Sequence, residues 1–433
     1  MNNKKAYIHT WGCQMNEHKS ERIAGILSRE GYCLVEDPAQ ADLVIFNTCM
    51  VRQKAEEKVY SKAGEIRKYK ERNPNLLFGV GGCLAQALKE ELFEKIKVDF
   101  IFGTTQIGEI PKLLQESQSQ RGRNGLRIAM EPTPRQIEEL PLIRESAFQA
   151  KVIVTEGCSN LCSFCIVPYT TGPLRSRPLK AILKEVKELA KEGCKEVTLL
   201  GQNVDSYGKD ISESFASLLR CLTEIDIPRI RFTSSHPKDI TLEVIKIMGE
   251  ENNICEHLHM AVQSGSNRIL KEMRRGYTKE SFLELIHKIK ETVPEVNITT
   301  DIIVGYPGES EQDFEETMDL VEKARFGGAF IFKYSPRQGT ICYDKKDDVP
   351  PQQKQRRLET LLELQKQITA EENSKLIGQA LEVLVEDSSK GKCRGRTKNN
   401  KTISFEGNDK MIGQFVKVKI TEASSFLRGE VLR

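Results

Sequence analysis

Residues 156–169, EGCSNLCSFCIVPY, place three thiols within eight positions: Cys158, Cys162 and Cys165, spaced C-x3-C-x2-C. Where disulfides do not persist, clustered cysteines bind metal or do chemistry. Four thiolates would close a structural zinc or iron–sulfur site. Three on a 4Fe-4S cube leave one iron without a protein ligand, and an open coordination position is how a metal site binds and activates a substrate. The competing reading is a structural zinc with a distant fourth ligand, such as His236 or His257.

A second set of three is spread over the first hundred residues. Cys13, Cys49 and Cys83 each end an apolar, strand-like run: HTWGC, FNTC and GVGGC. Their spacings of 36 and 34 residues are each about one strand–helix unit. In a parallel sheet the C-terminal ends of the strands lie along one edge, so cysteines distant in sequence converge there. Glycines at 12, 81 and 82 permit tight turns around a bulky ligand. Buried cysteines acting as small hydrophobes are the plainer alternative, but placement at the same point of three successive units argues against it. Cys33, Cys194, Cys221, Cys255, Cys342 and Cys393 follow no such pattern and are assigned to packing or surface.

The elements that must hold these residues follow from hydrophobic periodicity. KAYIHT, DLVIFNT, NLLFGVGG and VDFIFG read as strands, with helices over 16–30, 53–72 and 85–96 between them. Apolar runs alternating with amphipathic helices predict an α/β domain with a parallel sheet covered on both faces, over 1–118. Residues 119–146, polar and then proline-rich, read as a linker. Over 147–377 six further strands follow in series, AKVIVTEG, KEVTLLGQN, RIRFTSS, EHLHMAVQS, NITTDIIVG and GAFIFKYSP, with crossover helices, and a charged helix over 351–377 closes the region. This predicts an open or partial (β/α)6 barrel with its function at the C-terminal strand ends. Residues 378–433 hold short Val/Ile-rich strands and polar turns, which predict a small β-barrel.

That barrel mouth nominates more residues. Gln202 and Asn203 follow TLLG, Ser235 and His236 follow RFTS, and Gln263 follows HMAV. The segment IIVGYPGES supplies Gly305, Gly308 and Glu309, whose glycines let backbone approach a ligand. Each of these could instead only cap a loop or make a turn.

A chain of 433 residues, 39% apolar and 29% charged, is an ordinary multidomain globular composition. Its N-terminus, MNNKKAYIHTWGC, lacks the apolar run of a signal peptide, and no stretch is long and apolar enough to span a membrane, so a cytoplasmic location without a membrane partner is expected. A net charge of +3 does not announce a polyanion binder. Charge is local instead: SSKGKCRGRTKNNK carries Lys390, Lys392, Arg394, Arg396, Lys398 and Lys401 and no acid, which on a small β-barrel suits a phosphate backbone better than a bare solvated loop. Arg175, Arg177 and Lys180, and more weakly Arg274 and Arg275, are further candidates near the first triad, while Phe405 and Phe415 fit core packing better than base stacking.

GCSNLCSFCIVPYT and IIVGYPGES resemble the cysteine and glycine motifs of the radical S-adenosylmethionine (SAM) superfamily. Taken with TWGCQMNEHKSERI, LLGQNVDSYG, AVQSGSNRILKEMRRGYT and FKYSPRQGT, the whole chain resembles the methylthiotransferase family, most closely its MiaB-type branch, in which GCQMNEH is the discriminating stretch. The resemblance implies a methylthiotransferase domain, a radical SAM domain and a C-terminal TRAM domain. It implies two 4Fe-4S clusters, on Cys13/Cys49/Cys83 and on Cys158/Cys162/Cys165, with SAM at the open iron of the second. One SAM methylates a sulfur at the first cluster; the other yields a radical that takes hydrogen from carbon 2 of N6-dimethylallyladenosine at position 37 of tRNA, where the methylthio group is placed. The tRNA anticodon loop, an electron donor such as a flavodoxin or ferredoxin, and a sulfur source for the first cluster are the implied partners. Thr171 and Leu174 stand where the family commonly has Arg and Glu, and Ala261 where it commonly has Pro, which touches the rim of the site. Competing readings are the same chemistry on threonylcarbamoyladenosine or on a ribosomal-protein aspartate, and a non-enzymatic RNA-binding protein with structural metal.

Overall fold

The computed structural model describes residues 4–50, 53–119, 127–130 and 140–432. Its first unit runs β1 (Lys4–Thr10), α1 (Gln14–Arg29), β2 (Tyr32–Leu34), β3 (Leu43–Thr48), α2 (Gln53–Arg72), β4 (Leu77–Gly82), α3 (Cys83–Leu88), α4 (Glu91–Ile96), β5 (Phe100–Phe102), α5 (Ile110–Ser119) and β6 (Ile128–Ala129). The sheet order is β2-β1-β3-β4-β5-β6 with every pair parallel. Strand β3 shows why: Val44 and Phe46 face one apolar core while Leu43 and Ile45 face another, so helices cover both sides. Three details depart from the periodicity. The helix expected over 85–96 breaks at Lys89, which turns left-handed at φ 46°. The short edge strand β2 carries too little pattern to announce itself. Strand β6 lies inside the expected linker and extends the sheet edge beside β5; the linker's residues 120–126 and 131–139 fall outside the described ones.

The second unit runs β7 (Gln149–Ile153), β8 (Thr155–Glu156), α6 (Val167–Thr170), β9 (Arg175–Ser176), α7 (Leu179–Lys191), β10 (Glu196–Leu200), α8 (Phe215–Thr223), β11 (Arg229–Phe232), α9 (Leu242–Glu250), β12 (His257–His259), α10 (Asn267–Glu272), α11 (Lys279–Thr292), β13 (Asn297–Val304), α12 (Glu311–Ala324), β14 (Gly328–Lys333) and α13 (Pro351–Ser374). Parallel triplets β11-β10-β7 and β12-β13-β14 meet through single bridges at Ile230–Ile254 and Ser235–Met260, giving an open six-stranded (β/α) barrel. Helices start where side chains cap them: Ser214, Thr241, Ser266, Thr278 and Ser310 each accept a backbone N–H of the first turn. Along each strand the alternation is sharp. Val152, Leu199, Ile230, Leu258 and Ile302 face the helices, so Lys151, Thr198, Arg231, His259 and Asp301 face the lumen.

The third unit, β15 (Ala380–Ser389), β16 (Lys392–Thr397), β17 (Thr402–Glu406), β18 (Phe415–Ala423) and β19 (Leu427–Val431), closes as a barrel in the order β15-β16-β17-β19-β18. Its turn after β16 plugs the N-terminal end of the larger barrel. Arg231, 3% exposed, pairs with Glu196 at 2.9 Å and donates to the carbonyls of Thr397 and Lys398. Asn297 donates to the Asn399 carbonyl at 2.9 Å, and Arg229 donates to that of Arg396 at 2.8 Å while its guanidinium lies over the Phe415 ring. Among the described residues no helix is long and apolar enough to cross a membrane.

Two glycines of β4 have a direct structural cause. Phe100 and Phe102 on the neighbouring strand lay their rings over Gly79 and Gly81, and a Cβ at Gly81 would stand 2.1 Å from the Phe102 ring. Gly81→Ala should therefore destabilise the protein by about 1–3 kcal/mol in chemical denaturation, and combining it with Phe102→Leu should recover part of the loss.

Candidate active site

The C-x3-C-x2-C loop follows β8 through Gly157, whose φ is +75°. A Cβ there would lie 2.0 Å from the Pro173 carbonyl oxygen, so only glycine lets the loop fold back to where Cys158 N donates to the Gly172 carbonyl at 3.1 Å. Further along, Cys165 N donates to the Cys162 carbonyl. Ser163 pins the loop to the end of α10: its N donates to the Met273 carbonyl and its hydroxyl to that of Glu272, with Tyr306 OH at 2.9 Å. Burial pushes the Cys165 thiol up to about 12, and the nearby Cys162 and Cys158 push the same way. Bringing these three sulfurs together as thiolates thus requires a cation among them.

Arg275 provides part of that charge. It is 4% exposed, and its Nη1 donates to Cys162 Sγ at 3.2 Å while Nε donates to Tyr277 OH at 2.9 Å. The sequence offered it only as a weak RNA contact. Nothing in the spacing of MRRGYT told which of the two arginines turns inward; Arg274 is exposed and left-handed, and Arg275 is buried.

Cys13, Cys49 and Cys83 each stand at the end of a strand of the first sheet. Strands β1, β3 and β4 are adjacent in the sheet. Cys13 caps α1 after β1, Cys49 follows β3, and Cys83 opens α3 after β4. Gly12, at φ +128°, lies so close that a Cβ there would stand 3.3 Å from Cys49 Sγ. Gly82, at φ +92°, packs against the Thr48 carbonyl. Asn16 donates to the carbonyls of Trp11 and Thr48, and Asn47 donates to that of Asn16, which ties the turns to one another. Burial pushes the Cys83 thiol up to about 12, with Cys49 and Cys13 adding to it and Lys19 opposing. Among the described residues no three His, Cys, Asp or Glu side chains are set to hold one metal ion. His257 sits at the opposite end of the barrel, bonded to Thr299 and Asn400, and does not face the triad as a fourth ligand.

The segments that carry the two sets of cysteines meet at a domain contact. Lys19 of α1, 5% exposed, donates to the Thr104 carbonyl at 2.7 Å and pairs at 3.0 Å with Glu156, two residues before Cys158. Thr104 Oγ1 donates to the Thr170 carbonyl at 2.7 Å, and Ile166, next to Cys165, packs into the core of the first unit. Helix α1 also covers part of the lumen: Met15 packs on Ile153 and Leu200, and Lys151 pairs with Glu17 at 3.1 Å.

Around the barrel mouth, buried polar atoms lack protein partners: Thr155 Oγ1, Gln202 Oε1, Asn203 Oδ1 and His236 Nε2. Leaving such atoms unpaired costs about 1–3 kcal/mol each, so a polar ligand with its own donors and acceptors fits there. Asp205 and Asp239, not singled out from sequence, organise this rim. Asp205 accepts from His236 N at 3.0 Å, and burial pushes its carboxyl up to about 7. Asp239 is buried too, yet bonds from Lys209, Asn160 and Asn203 hold it down to about 2. Burial and the Arg275 charge keep His236 neutral, at about 3. Gln263 adopts φ +73° and its backbone pairs with β13, its N donating to the Asp301 carbonyl.

Residues 152–321 match the model of the radical SAM superfamily, 374–432 that of the TRAM domain, and 5–103 that of the uncharacterized protein family UPF0004. A tRNA-2-methylthio-N(6)-dimethylallyladenosine synthase of Carboxydothermus hydrogenoformans is 48% identical, covering 98% of both chains. The synthase of the same description from Thermoanaerobacter sp. (strain X514) is 47% identical over 98% of this chain and 92% of its own. The chain belongs to the tRNA-2-methylthio-N(6)-dimethylallyladenosine synthase family. It is a radical SAM transferase that takes a 4Fe-4S cluster and SAM. Among solved structures, the radical SAM methyltransferase TsrM from Kitasatospora setae, with cobalamin and a [4Fe-4S] cluster bound, shares the fold at a TM-score of 0.58, with 12% identity over 91% of this chain and 77% of that one. The cobalamin-dependent SAM radical enzyme OxsB is similar at 0.55, with 14% identity over 83% and 56%.

In this synthase-family chain, other nominated residues are placed differently from the six cysteines. Glu309 points under the turn: it accepts from Gly305 N at 2.6 Å and pairs with the fully buried Arg357 at 2.7 Å. Gly305 backs onto Lys354 of α13, and Gly308 is exposed, its N donating to Asp348. Of the basic run, Lys390, Lys392 and Arg394 are exposed, the last paired with Asp387. Lys398 pairs with Glu256, Lys401 donates to Asn373 and Arg396 pairs with Glu386, so half the run is engaged in packing. Arg177 is buried against Glu185, Arg175 lies 3.7 Å from Glu156, and Lys180 is exposed. Phe405 packs in the small barrel's core. Thr171 is buried, Leu174 is half-buried, and the Ala261 carbonyl accepts from Arg275 and Tyr277.

Removing one partner of a buried ion pair leaves the other charge stranded. Lys19→Met should cost about 3–5 kcal/mol in thermal or urea unfolding. Adding Glu156→Gln should return part of that stability, and a double-mutant cycle measures the coupling.

Proposed function

We propose that the protein places a methylthio group on carbon 2 of N6-dimethylallyladenosine at position 37 of tRNA, beside the anticodon. The observation that supports this is the buried Lys19–Glu156 pair, which joins the unit that carries Cys13, Cys49 and Cys83 to the strand two residues before Cys158. When bound, a 4Fe-4S cluster on Cys158, Cys162 and Cys165 supplies the electron that cleaves SAM, and a second on Cys13, Cys49 and Cys83 supplies the sulfur that is methylated and transferred. The unpartnered atoms of Thr155, Gln202, Asn203 and His236 hold the polar ends of SAM. Asp205 and Asp239 fix the orientation of His236 and Asn203. Helix α1 and the turn after β16 keep bulk water from two sides of the lumen, which protects reactive chemistry.

The RNA reaches the site from outside. Lys390, Lys392 and Arg394 are the exposed cations of the basic run on the small barrel and meet phosphates there. The target adenine unstacks to enter the lumen. A flavodoxin or ferredoxin serves as reductant, a separate sulfur source restores the second cluster, and the tRNA substrate places the protein in the cytoplasm.

Mass spectrometry of tRNA nucleosides from a bacterial strain lacking its own methylthiotransferases tests this. Expression should create 2-methylthio-N6-dimethylallyladenosine, and Cys13→Ala or Cys158→Ala should abolish it. Anaerobically prepared protein should hold about eight irons, falling to about four when either triad is replaced by alanine. Methylthio-threonylcarbamoyladenosine in place of the expected nucleoside would keep the chemistry and overturn the substrate.

A further inference from the structure

Helix α1 covers the β7 and β10 side of the lumen, through Met15 on Ile153 and Leu200 and through Glu17 on Lys151. The turn after β16 closes the N-terminal end. What stays open is the wall of β12, β13 and β14. Four side chains share it at neighbouring register positions: His259 lies opposite Thr299, and Asp301 opposite Phe330. They touch. His259 Nε2 stands 3.3 Å from Asp301 Oδ2, His259 Nδ1 stands 3.0 Å from Thr299 Oγ1, and the His259 and Phe330 rings meet edge-on with centroids 5.9 Å apart. Phe330 is 54% exposed, an unusual state for a phenyl ring facing the inside of a barrel. One strand position beyond His259 on the same face, Ala261 is held by Arg275, which also touches Cys162. The wall therefore begins just beneath the radical SAM triad.

We infer that His259, Asp301 and Phe330 form the seat of the target base and choose which N6-modified adenine it accepts. This rests on the function proposed above. The exposed face of Phe330 stacks on the purine, a contact worth about 1–3 kcal/mol per base. Asp301, oriented by His259, accepts the single N6–H that an N6-alkyl adenine retains. A neutral dimethylallyl group is tolerated beside that carboxylate. A threonylcarbamoyl group brings its own carboxylate and is repelled, so Asp301 rejects the other common modified adenine by like charge.

The test uses the reconstituted holoenzyme and two anticodon stem-loop RNAs, one with N6-dimethylallyladenosine and one with N6-threonylcarbamoyladenosine. Binding and steady-state rates are measured with each, and iron content is checked for every variant. Phe330→Ala should raise KM for the dimethylallyl RNA about tenfold or more with a smaller change in kcat, and Phe330→Leu, which keeps apolar bulk without the aromatic face, should do the same. Asp301→Asn should tighten binding of the threonylcarbamoyl RNA about tenfold while changing that of the dimethylallyl RNA only a few-fold. If all three variants bind both RNAs as the unaltered protein does, the seat lies elsewhere and the inference is overturned. If the unaltered protein prefers the threonylcarbamoyl RNA, the proposed substrate fails, and the role of Asp301 as a negative discriminator fails with it.

Discussion

The buried contact between Lys19 and Glu156 is the constraint on which the site depends. Each cysteine triad is made by its own domain, at the C-terminal edge of its own parallel sheet. Neither sheet by itself fixes where the other lies. A lysine and a glutamate removed from water have few acceptable arrangements, because each stranded charge costs several kcal/mol unless a partner stands at hydrogen-bond distance. Lys19 meets Glu156 and the Thr104 carbonyl, and Thr104 reaches on to Thr170. This short chain of bonds fixes the register of one edge against the other where a purely apolar contact would let them slide.

The same logic applies at the other end of the barrel. Six strands do not close a (β/α) barrel, and the inner faces of these strands are polar: Glu196, Arg231, His257 and Asn297 stand at the N-terminal rim. Left open, that rim would admit water through the lumen. The small β-barrel plugs it with backbone carbonyls at 397–399 and with Lys398 on Glu256. A domain that looks from its composition like an RNA-binding module thus also serves as the floor of the reaction chamber. Its basic run divides accordingly. Cations at the tip, Lys390 and Lys392, are free for solvent-side contacts, and those near the end of the hairpin are committed to packing.

Much of this was legible in the residues. The recurrence of Cys13, Cys49 and Cys83 at successive strand ends put them along one edge of a parallel sheet; that their strands β1, β3 and β4 are neighbours comes from the sheet order. The six-strand series gave the open barrel for the same reason. Contacts between elements distant in sequence were not legible. Arg274 and Arg275 are chemically the same, and only the left-handed turn at Arg274 decides which is buried on Cys162. Glu309 sits in a motif that suggests a ligand, but Arg357 from a helix 48 residues later captures it. Lys19, Asp205 and Asp239 were not singled out, because periodicity reports which face of an element is apolar and says nothing of polar faces buried against another domain. Edge strands β2 and β6 are two or three residues long, below the length at which alternation is distinguishable from chance.

The open barrel and the added covers form one design. A closed eight-stranded barrel fills its interior with side chains and leaves no room for a base. Six strands leave a gap between β7 and β14, and α1 spans the β7 side with Met15 and Glu17. The remaining opening lies along β14, the edge that carries Phe330. An edge strand normally needs protection against adventitious pairing. Here α13 packs against β14 through Lys333 to Gln355 and holds the segment before the strand through Gln365 to the Phe326 carbonyl, while Phe330 on the lumenal face stays exposed. The molecule therefore shields the backbone of its edge strand while keeping that strand's inner side chains accessible, which is what a chamber must do when its substrate is one base of a much larger nucleic acid.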